Sequence, residues 1–209
     1  TLATNGTFKH IRDRTGFADT EELLLGSPFN YPDVAMLGVP EDMPEPTSWA
    51  YQAAVEQAVM DAVMASDGST MALFTSHASL RTTATGIRSN LQAHGINVLA
   101  QGVDGPPNRL VQRFVKDSKS VLLGTASFWE GVDLPGDILK VLLLARLPFS
   151  VPTAPVFAAR SEEFDEPFTE YAIPQAILRV RQGFGRLIRT KTDRGAAIIL
   201  DRRIISRNY

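Results

Sequence analysis

The chain has 209 residues, of which 44% are hydrophobic and 21% are charged. These values are typical of one globular domain, or of one domain with an attached arm, and exclude a disordered chain. No apolar run approaches the roughly 18 residues that a membrane-spanning helix needs. The first residues also lack the basic start and apolar centre of a signal peptide, so we expect no membrane association.

The absence of cysteine bears on both compartment and chemistry. It fits a reducing compartment, and we predict a cytoplasmic location. It also excludes a thiolate-ligated zinc ion or iron–sulfur cluster within this chain. His10, His77 and His94 are scattered along the sequence, so we expect no histidine metal site.

The net charge of −2 conceals a strong asymmetry along the chain. Residues 173–209 hold nine Arg or Lys and two Asp, a local balance of +7, which leaves the rest of the chain at −9. The basic end suits contact with phosphates while the remainder stays solvated.

Strand and helix signals alternate along most of the chain. Residues 1–30 are predicted to form an arm with a short helix over 8–14, and 34–39 a buried strand. Thr47 or Ser48 is predicted to cap the next helix. Later strands are predicted at 71–75, 96–100, 121–123, 140–145 and 195–200, and later helices at 79–94, 108–117 and 173–189. Continuous apolar strands between amphipathic helices predict an α/β fold, with a mostly parallel sheet covered by helices on both faces.

The octet 182–189, Gln-Gly-Phe-Gly-Arg-Leu-Ile-Arg, carries the densest functional signal. Gly183 and Gly185 each cost a helix roughly 1 kcal/mol relative to Ala, which predicts a partner that comes close. Guanidinium groups beside such an opening suit phosphate. An ordinary amphipathic helix with a solvated polar face explains the pattern equally well, and both interpretations stay open at this point. The polar face of the predicted helix holds Arg179, Gln182, Arg186 and Arg189.

A second signal follows the strand at 121–123. Residues 124–136 hold two hydroxyl side chains, two acids and three glycines, at a strand end where α/β sheets collect ligands. Backbone amides at glycines can approach phosphate, and Asp133 could accept hydrogen bonds from a ribose. Phe128 and Trp129 could stack bases, although burial in the core is the favoured interpretation.

The motifs of a complete nucleotidase are missing. The chain has no Gly-x-x-x-x-Gly-Lys-Ser/Thr loop and no Asp-Glu pair after a strand, so it lacks a phosphate cradle and a magnesium carboxylate. After the strand at 71–75, the hydroxyl of Ser76 suits either phosphate or the cap of the next helix, and spacing alone favours the cap.

Taken together, these segments resemble superfamily-two helicases. Residues 182–189 resemble motif VI of that superfamily, and 124–133 resemble motifs V and Va. The segments 127–136, 147–149 and 201–203 are similar to the DinG branch, which is related to the XPD helicases. Residues 27–31 and 73–76, the latter at the motif IV position, fit the same branch. The resemblance spans nearly the whole chain.

The resemblance implies the second RecA-like motor domain of an ATP-dependent DNA helicase. Residues 31–209 would form this domain, and residues 1–30 an arm that belongs to the preceding motor domain. ATP and Mg²⁺ would be bound mainly by that first RecA-like domain of the same polypeptide, where any iron–sulfur cluster would also lie. Opening and closing of the two domains would then move single-stranded DNA in the 5'-to-3' direction during DNA repair or replication.

The resemblance also assigns roles to single residues. Arg186 and Arg189 would be arginine fingers on the γ-phosphoryl group, and Gln182 would orient the phosphate or the attacking water. The residues implied on the nucleotide side are Glu130, Gly131, Asp133 and Gly185. Those implied to contact the DNA backbone are Ser76, Thr125, Ser127 and Arg179.

Two alternatives remain open. A nucleotide or nucleic-acid binding module without catalysis would also use an Arg-rich helix and glycine loops. A DinG-like exonuclease would carry its nuclease domain upstream and use this domain as an accessory. On the helicase interpretation, the chain alone hydrolyses no ATP, and its arginine fingers, Arg186 and Arg189, point into solvent together with Gln182.

Overall fold

A six-stranded sheet, parallel at every pairing, forms the centre of the fold. The computed structural model describes residues 3–4, 6–17, 19–129, 134 and 138–207. The strands lie in the order β1-β6-β5-β2-β4-β3. Their bounds are β1 (Ala35–Gly38), β2 (Thr70–Leu73), β3 (Asn97–Ala100), β4 (Ser120–Gly124), β5 (Val141–Leu144) and β6 (Gly195–Ile199).

Helices connect these strands, as the alternating pattern predicts. They are α1 (Lys9–Thr15), α2 (Tyr31–Val34), α3 (Tyr51–Ala65), α4 (His77–Ala93), α5 (Pro107–Lys116), α6 (Ala126–Trp129), α7 (Pro155–Ser161), α8 (Ile173–Phe184) and α9 (Arg203–Ser206). A π-helical turn, Phe168–Ala172, leads into α8. Among the described residues, no helix has both the length and the apolar character that a membrane crossing requires. The predicted α/β fold with a parallel sheet is confirmed.

The chain divides into two compact units. The larger unit, residues 29–147 and 183–208, contains the whole sheet, and the smaller unit contains residues 1–28 and 148–182. The first 28 residues therefore share a unit with a later segment of the same chain. That the arm belongs to a preceding domain stays a prediction.

The core of the larger unit lies between the sheet and the helices α3 and α4. Every residue of β2 and of β4 is buried. Helix α4 presents Leu80, Ala84, Ile87 and Leu91 to this core, at the three- and four-residue spacing of an amphipathic helix. The sheet is thereby anchored, and the segments that follow its strands are held at one edge.

Two elements near the start of the sheet differ from prediction. The strand β1 is not buried, because it lies at the edge of the described sheet, and Met36 and Leu37 are 64% and 61% exposed. Helix α3 is not capped by Thr47 or Ser48. It begins at Tyr51 because the preceding residues form turns, in which the Ser48 hydroxyl accepts a hydrogen bond from the amide of Ala50 at 3.3 Å.

Helix α8 ends at Phe184, five residues earlier than predicted. Beyond it the chain makes tight turns, with Arg186 N–H donating to Gly183 O at 3.0 Å and Leu187 N–H to Phe184 O at 2.9 Å. Gly183 thus lies in the last turn and Gly185 follows the helix. The low helix propensity of glycine explains why the helix stops here. The predicted helical face that joins Gln182 to Arg186 and Arg189 is therefore wrong.

Candidate nucleotide and nucleic-acid site

The carboxyl ends of the parallel strands place a row of polar side chains along one edge of the sheet. In spatial order, the residues that follow the strands are Asp201 after β6, Arg146 after β5, Ser76 after β2, Thr125 after β4 and Gln101 after β3. Such an edge is where ligands bind in open α/β folds. The strand order therefore brings Ser76 and Thr125, which lie 49 positions apart in the sequence, to neighbouring strand ends.

Gln101, after β3, forms hydrogen bonds with the residues that follow β4. Its Oε1 accepts hydrogen bonds from both Thr125 N–H at 2.8 Å and Thr125 Oγ1–H at 3.0 Å. Its Nε2 donates to Ser127 Oγ at 2.9 Å. His77 Nε2 lies 3.3 Å from Thr125 Oγ1. Sequence reasoning missed Gln101, and the signal that could have found it is an amide side chain directly after a buried strand.

These contacts give Thr125 and Ser127 different surroundings. Thr125 is only 6% exposed, and Gln101 takes both of its donors. Ser127 is exposed, and its oxygen accepts a hydrogen bond from Gln101. The hydroxyl proton of Ser127 thus remains able to point towards a ligand.

Ser76 caps helix α4, as its spacing favours. Its Oγ accepts hydrogen bonds from the amides of Ala78 at 3.2 Å and Ser79 at 3.5 Å. The side chain is exposed, and because its oxygen acts as the acceptor, its own proton can be donated outwards. A capping role and a contact with an anion are therefore compatible.

The segment after β4 is described only in part. Phe128 is fully buried, and its ring approaches Gly124 so closely that a Cβ there would lie 2.5 Å from it. The core interpretation of Phe128 is confirmed. The side chain of Trp129 lies outside the described residues, as do Glu130, Gly131 and Asp133.

Arg186 and Arg189 follow helix α8 and belong to the larger unit. Both are half-buried, so the expectation that they point freely into solvent is wrong. Burial lowers the pKa of Arg186 from its ordinary value, because a desolvated environment disfavours the charged form. A cation in such surroundings attracts an anion more strongly than one in bulk water.

Asp193 fixes the backbone around Arg189. Its carboxylate accepts hydrogen bonds from the amides of Arg189 and Thr190, each at 2.8 Å, and from the Thr190 hydroxyl at 2.6 Å. Burial alone would raise the pKa of Asp193, but these three hydrogen bonds outweigh it and hold the pKa below its ordinary value. The turn is thus locked by an ionised carboxylate that sequence reasoning missed.

Arg179 and Gln182 lie in the smaller unit, on helix α8. Arg179 Nη1 donates to Pro148 O at 2.8 Å and to Ser150 Oγ at 3.0 Å. These bonds give Arg179 a structural role within its own unit. Gln182 is half-buried in the last turns of the helix, and not fully solvated as expected.

Asp201 ties the ends of β5 and β6 together. It is completely buried and accepts hydrogen bonds from Leu147 N–H at 3.0 Å, from Arg203 Nε at 2.8 Å and from Arg203 Nη2 at 2.6 Å. Burial would raise the pKa of Asp201, but Arg203 and the amide of Leu147 outweigh that effect and lower it. Among the described residues, no three His, Cys, Asp or Glu side chains come together as a metal site.

Comparison with known proteins decides the family. The family described as "Helicase C-terminal domain" matches residues 59–209. The chain belongs to this family. The ATP-dependent DNA helicase YoaA of Haemophilus influenzae is 37% identical over 213 residues, an alignment that covers all of this chain and 33% of the relative. The 3'-5' exonuclease DinG of Bacillus subtilis is 36% identical over 219 residues, covering all of this chain and 24% of the relative.

This helicase C-terminal domain thus spans 24% to 33% of the length of those relatives. The resemblance to DinG-like helicases is confirmed by these matches.

Solved structures agree on the fold. The structure of S. tokodaii Xpd4 gives a TM-score of 0.58 at 14% identity, over 83% of this chain and 35% of that one. A structure named "XPD_APO" gives a TM-score of 0.59 at 13% identity, over 82% of this chain and 36% of that one. The RecA-like fold predicted from the sequence is therefore confirmed.

Proposed function

We propose that this chain is the second motor domain of a DinG-like, ATP-dependent DNA helicase. The observation that carries the proposal is the row of polar groups at the carboxyl edge of the sheet, in a chain of the helicase C-terminal family. YoaA of Haemophilus influenzae and of Escherichia coli are both named ATP-dependent DNA helicases, and each is 37% identical to this chain. The cytoplasmic location, the 5'-to-3' direction and a role in repair or replication are parts of the same proposal.

Single-stranded DNA would bind along the carboxyl edge through its phosphates. Ser76 and Ser127 each keep a hydroxyl proton that can be donated to a phosphate oxygen. Thr125 would act on the DNA indirectly, through Gln101 and Ser127. It would contact the DNA only if its hydroxyl no longer donated to Gln101. Contacts of this kind carry no base information, which suits a motor that moves along any sequence.

ATP and Mg²⁺ would be bound mainly by the first RecA-like domain of the same polypeptide. This chain would add Arg186 and Arg189, which would stabilise charge on the transferring phosphoryl group, and Gln182, which would orient the phosphate or water. The half-buried setting of both arginines supports this part. The nucleotide contacts of Glu130, Gly131, Asp133 and Gly185, and the DNA contact of Arg179, remain parts of the proposal.

A second function is favoured by one relative. DinG of Bacillus subtilis is named a 3'-5' exonuclease, and this chain covers only 24% of it. In a protein of that kind, this domain would hold the strand that a separate nuclease domain cuts. Degradation of labelled DNA without any DNA-stimulated ATP hydrolysis by the longer polypeptide would favour this alternative over the motor.

Replacing Ser127 with Ala is expected to weaken the binding of single-stranded DNA by about tenfold, because a hydrogen bond to a charged group contributes about 1.5 kcal/mol. The loss should be equal for oligonucleotides of different sequence, measured by fluorescence anisotropy. The matched control is Ser118→Ala. Ser118 is exposed and lies just before β4, at the amino ends of the strands, whereas Ser127 follows β4 at their carboxyl ends. Equal affinities of the Ser127→Ala and Ser118→Ala variants would contradict the proposed DNA contact.

The isolated chain is expected to bind ATP much more weakly than a polypeptide that joins it to a first motor domain. The physical reason is that the chain has no phosphate loop and would contribute only part of the nucleotide site. Isothermal titration calorimetry of both proteins with an unhydrolysable ATP analogue measures the difference. Tight binding by the isolated chain would instead support the binding-module alternative.

A further inference from the structure

A pocket of about 320 Å³ opens at the carboxyl edge of the sheet, between the ends of β2 and β5. Its walls come from the turn before α3, from the first turns of α3 and α4, and from Ala145 and Arg146 after β5. Its polar lining consists of hydroxyl, amide and guanidinium groups, and it includes no Asp or Glu. Its volume is within the range of pockets that hold small molecules or parts of larger ligands.

Arg146 is the charged group of this pocket, and its position is fixed by two neighbours. Its guanidinium lies 5.0 Å above the centre of the Tyr51 ring, and its Nη2 donates to Pro46 O at 2.5 Å. Burial, and then the charge of Asp201, raise the pKa of Tyr51 to about 12, so this ring remains a neutral partner for the cation. A guanidinium has five N–H donors, more than the bond to Pro46 uses.

The opposite wall adds a second donor. Ser76 lines the pocket with a hydroxyl whose oxygen already accepts the amides of Ala78 and Ser79. Several other polar groups of the wall are engaged within the protein. Ser79 Oγ donates to Gln52 Oε1 at 2.7 Å, Gln52 Nε2 donates to the buried Thr83 Oγ1 at 2.9 Å, and Thr82 Oγ1 donates to Ala78 O at 3.1 Å. Arg146 therefore supplies the charge of this lining, and Ser76 supplies a hydroxyl that can be donated.

We propose that this pocket binds one phosphate group of a single-stranded nucleic acid, with Arg146 as its charged anchor and Ser76 as its neutral donor. A fixed guanidinium opposite a hydroxyl, in a pocket without carboxylates, favours a dianionic or monoanionic oxygen ligand over a cation. A single-stranded nucleic acid is favoured over a free nucleotide because β2, at whose end the pocket opens, pairs with β4, and Ser127 after β4 would contact the same nucleic acid. The inference thus rests on the proposed function and adds a new anchor to it.

The test is the salt dependence of oligothymidylate binding, measured by fluorescence anisotropy on the 209-residue chain. Arg146→Ala should weaken binding about tenfold. It should also lower the slope of log K against log salt by about 0.7, the value for one phosphate contact on a single strand. Arg146→Lys should retain the slope, because it retains the charge. The control is Arg113→Ala, which removes an exposed charge from the last turn of α5, before the start of β4. It should change neither the affinity nor the salt slope.

A second variant tests the pocket without disturbing the packing of Arg146. Ala78 is exposed and lies in the first turn of α4, where an added carboxylate favours the helix. Ala78→Glu should therefore keep the fold and weaken DNA binding about tenfold through repulsion of the phosphate. Its control is Gln112→Glu, which adds a negative charge on the exposed face of α5.

The outcomes separate the inference from the proposed function. Failure of the unaltered chain to bind the oligonucleotide would overturn both. Binding with an unchanged salt slope in Arg146→Ala, together with normal affinity in Ala78→Glu, would overturn the pocket assignment and leave the proposed function standing. A parallel titration with ATP distinguishes the source of the phosphate. If Arg146→Ala weakened the binding of ATP but not that of the oligonucleotide, the assignment of the pocket to a single-stranded nucleic acid would be overturned.

Discussion

Replacing Arg186 with Ala in the two-domain enzyme is expected to lower DNA-stimulated ATP hydrolysis by about 10³- to 10⁵-fold, the usual contribution of an arginine finger. ATP binding should weaken far less, since most of the nucleotide would be held by the first motor domain. The rate of phosphate release under saturating ATP and DNA measures the first quantity, and an equilibrium titration with an ATP analogue measures the second.

The expected size of this effect follows from the surroundings of Arg186. The side chain is half-buried, and burial lowers its pKa, because a desolvated environment disfavours the charged form. A phosphoryl group that develops charge in the transition state would then gain more from this cation than from one in bulk water. Asp193 orders the adjacent turn through the amides of Arg189 and Thr190.

Two further variants make the Arg186 experiment specific. Arg186→Lys keeps the charge but loses the planar fork of donors, and it should restore only a small part of the rate. Arg113→Ala removes an exposed guanidinium from α5 and should leave the rate unchanged. Equal losses in ATP binding and in turnover for Arg186→Ala would contradict a finger role.

Replacing Asp201 with Asn is expected to lower the free energy of unfolding by about 3 kcal/mol, the lower end of the range for breaking a buried ion pair. Asp201 is completely buried and accepts four hydrogen bonds. The bond from Leu147 N–H joins the ends of β5 and β6, and the other three come from Arg203. The loss lies at the lower end because the side chain of Arg203 is 28% exposed and can be partly solvated once Asp201 is neutral. Urea denaturation followed by circular dichroism measures the loss.

The same substitution should alter the stability of the chain in acid. Because the folded-state pKa of Asp201 lies below its ordinary value of 3.8, its stabilisation is present above pH 3.8 and is lost as the pH falls through the folded-state pKa. The Asp201→Asn variant should lack this contribution, so its stability should fall less steeply below that pH. The exposed Asp42→Asn variant serves as control, and should match the unaltered chain. An Asp201→Asn variant as stable as this control would contradict the structural role of Asp201.

The parallel sheet was predictable because its strands are continuous apolar runs between amphipathic helices. Residues 121–123, for example, lie within β4, which is buried at every position. The edge strand β1 was mistaken for a buried one because Met36 and Leu37 are as apolar as core residues, and position in the sheet, which depends on the whole strand order, decides their exposure.

The end of helix α8 was not predictable from periodicity. Leu187 and Ile188 continue the apolar spacing and are buried, yet the backbone leaves the helix after Phe184. Sequence reasoning also missed the roles of Gln101 and Asp193. The amide of Gln101 reaches Thr125 only because β3 pairs with β4, and Asp193 acts through a turn that exists only where the helix has ended.

On the proposed function, this domain completes a nucleotide site that is held mainly by another domain. DNA-stimulated ATP hydrolysis should therefore be compared for this chain, for the first motor domain and for the two joined in one polypeptide. We expect turnover by the joined polypeptide alone, and loss of that turnover when Arg186 is replaced with Ala. Turnover by this chain alone, or equal turnover by the first domain with and without it, would rule out such a shared site.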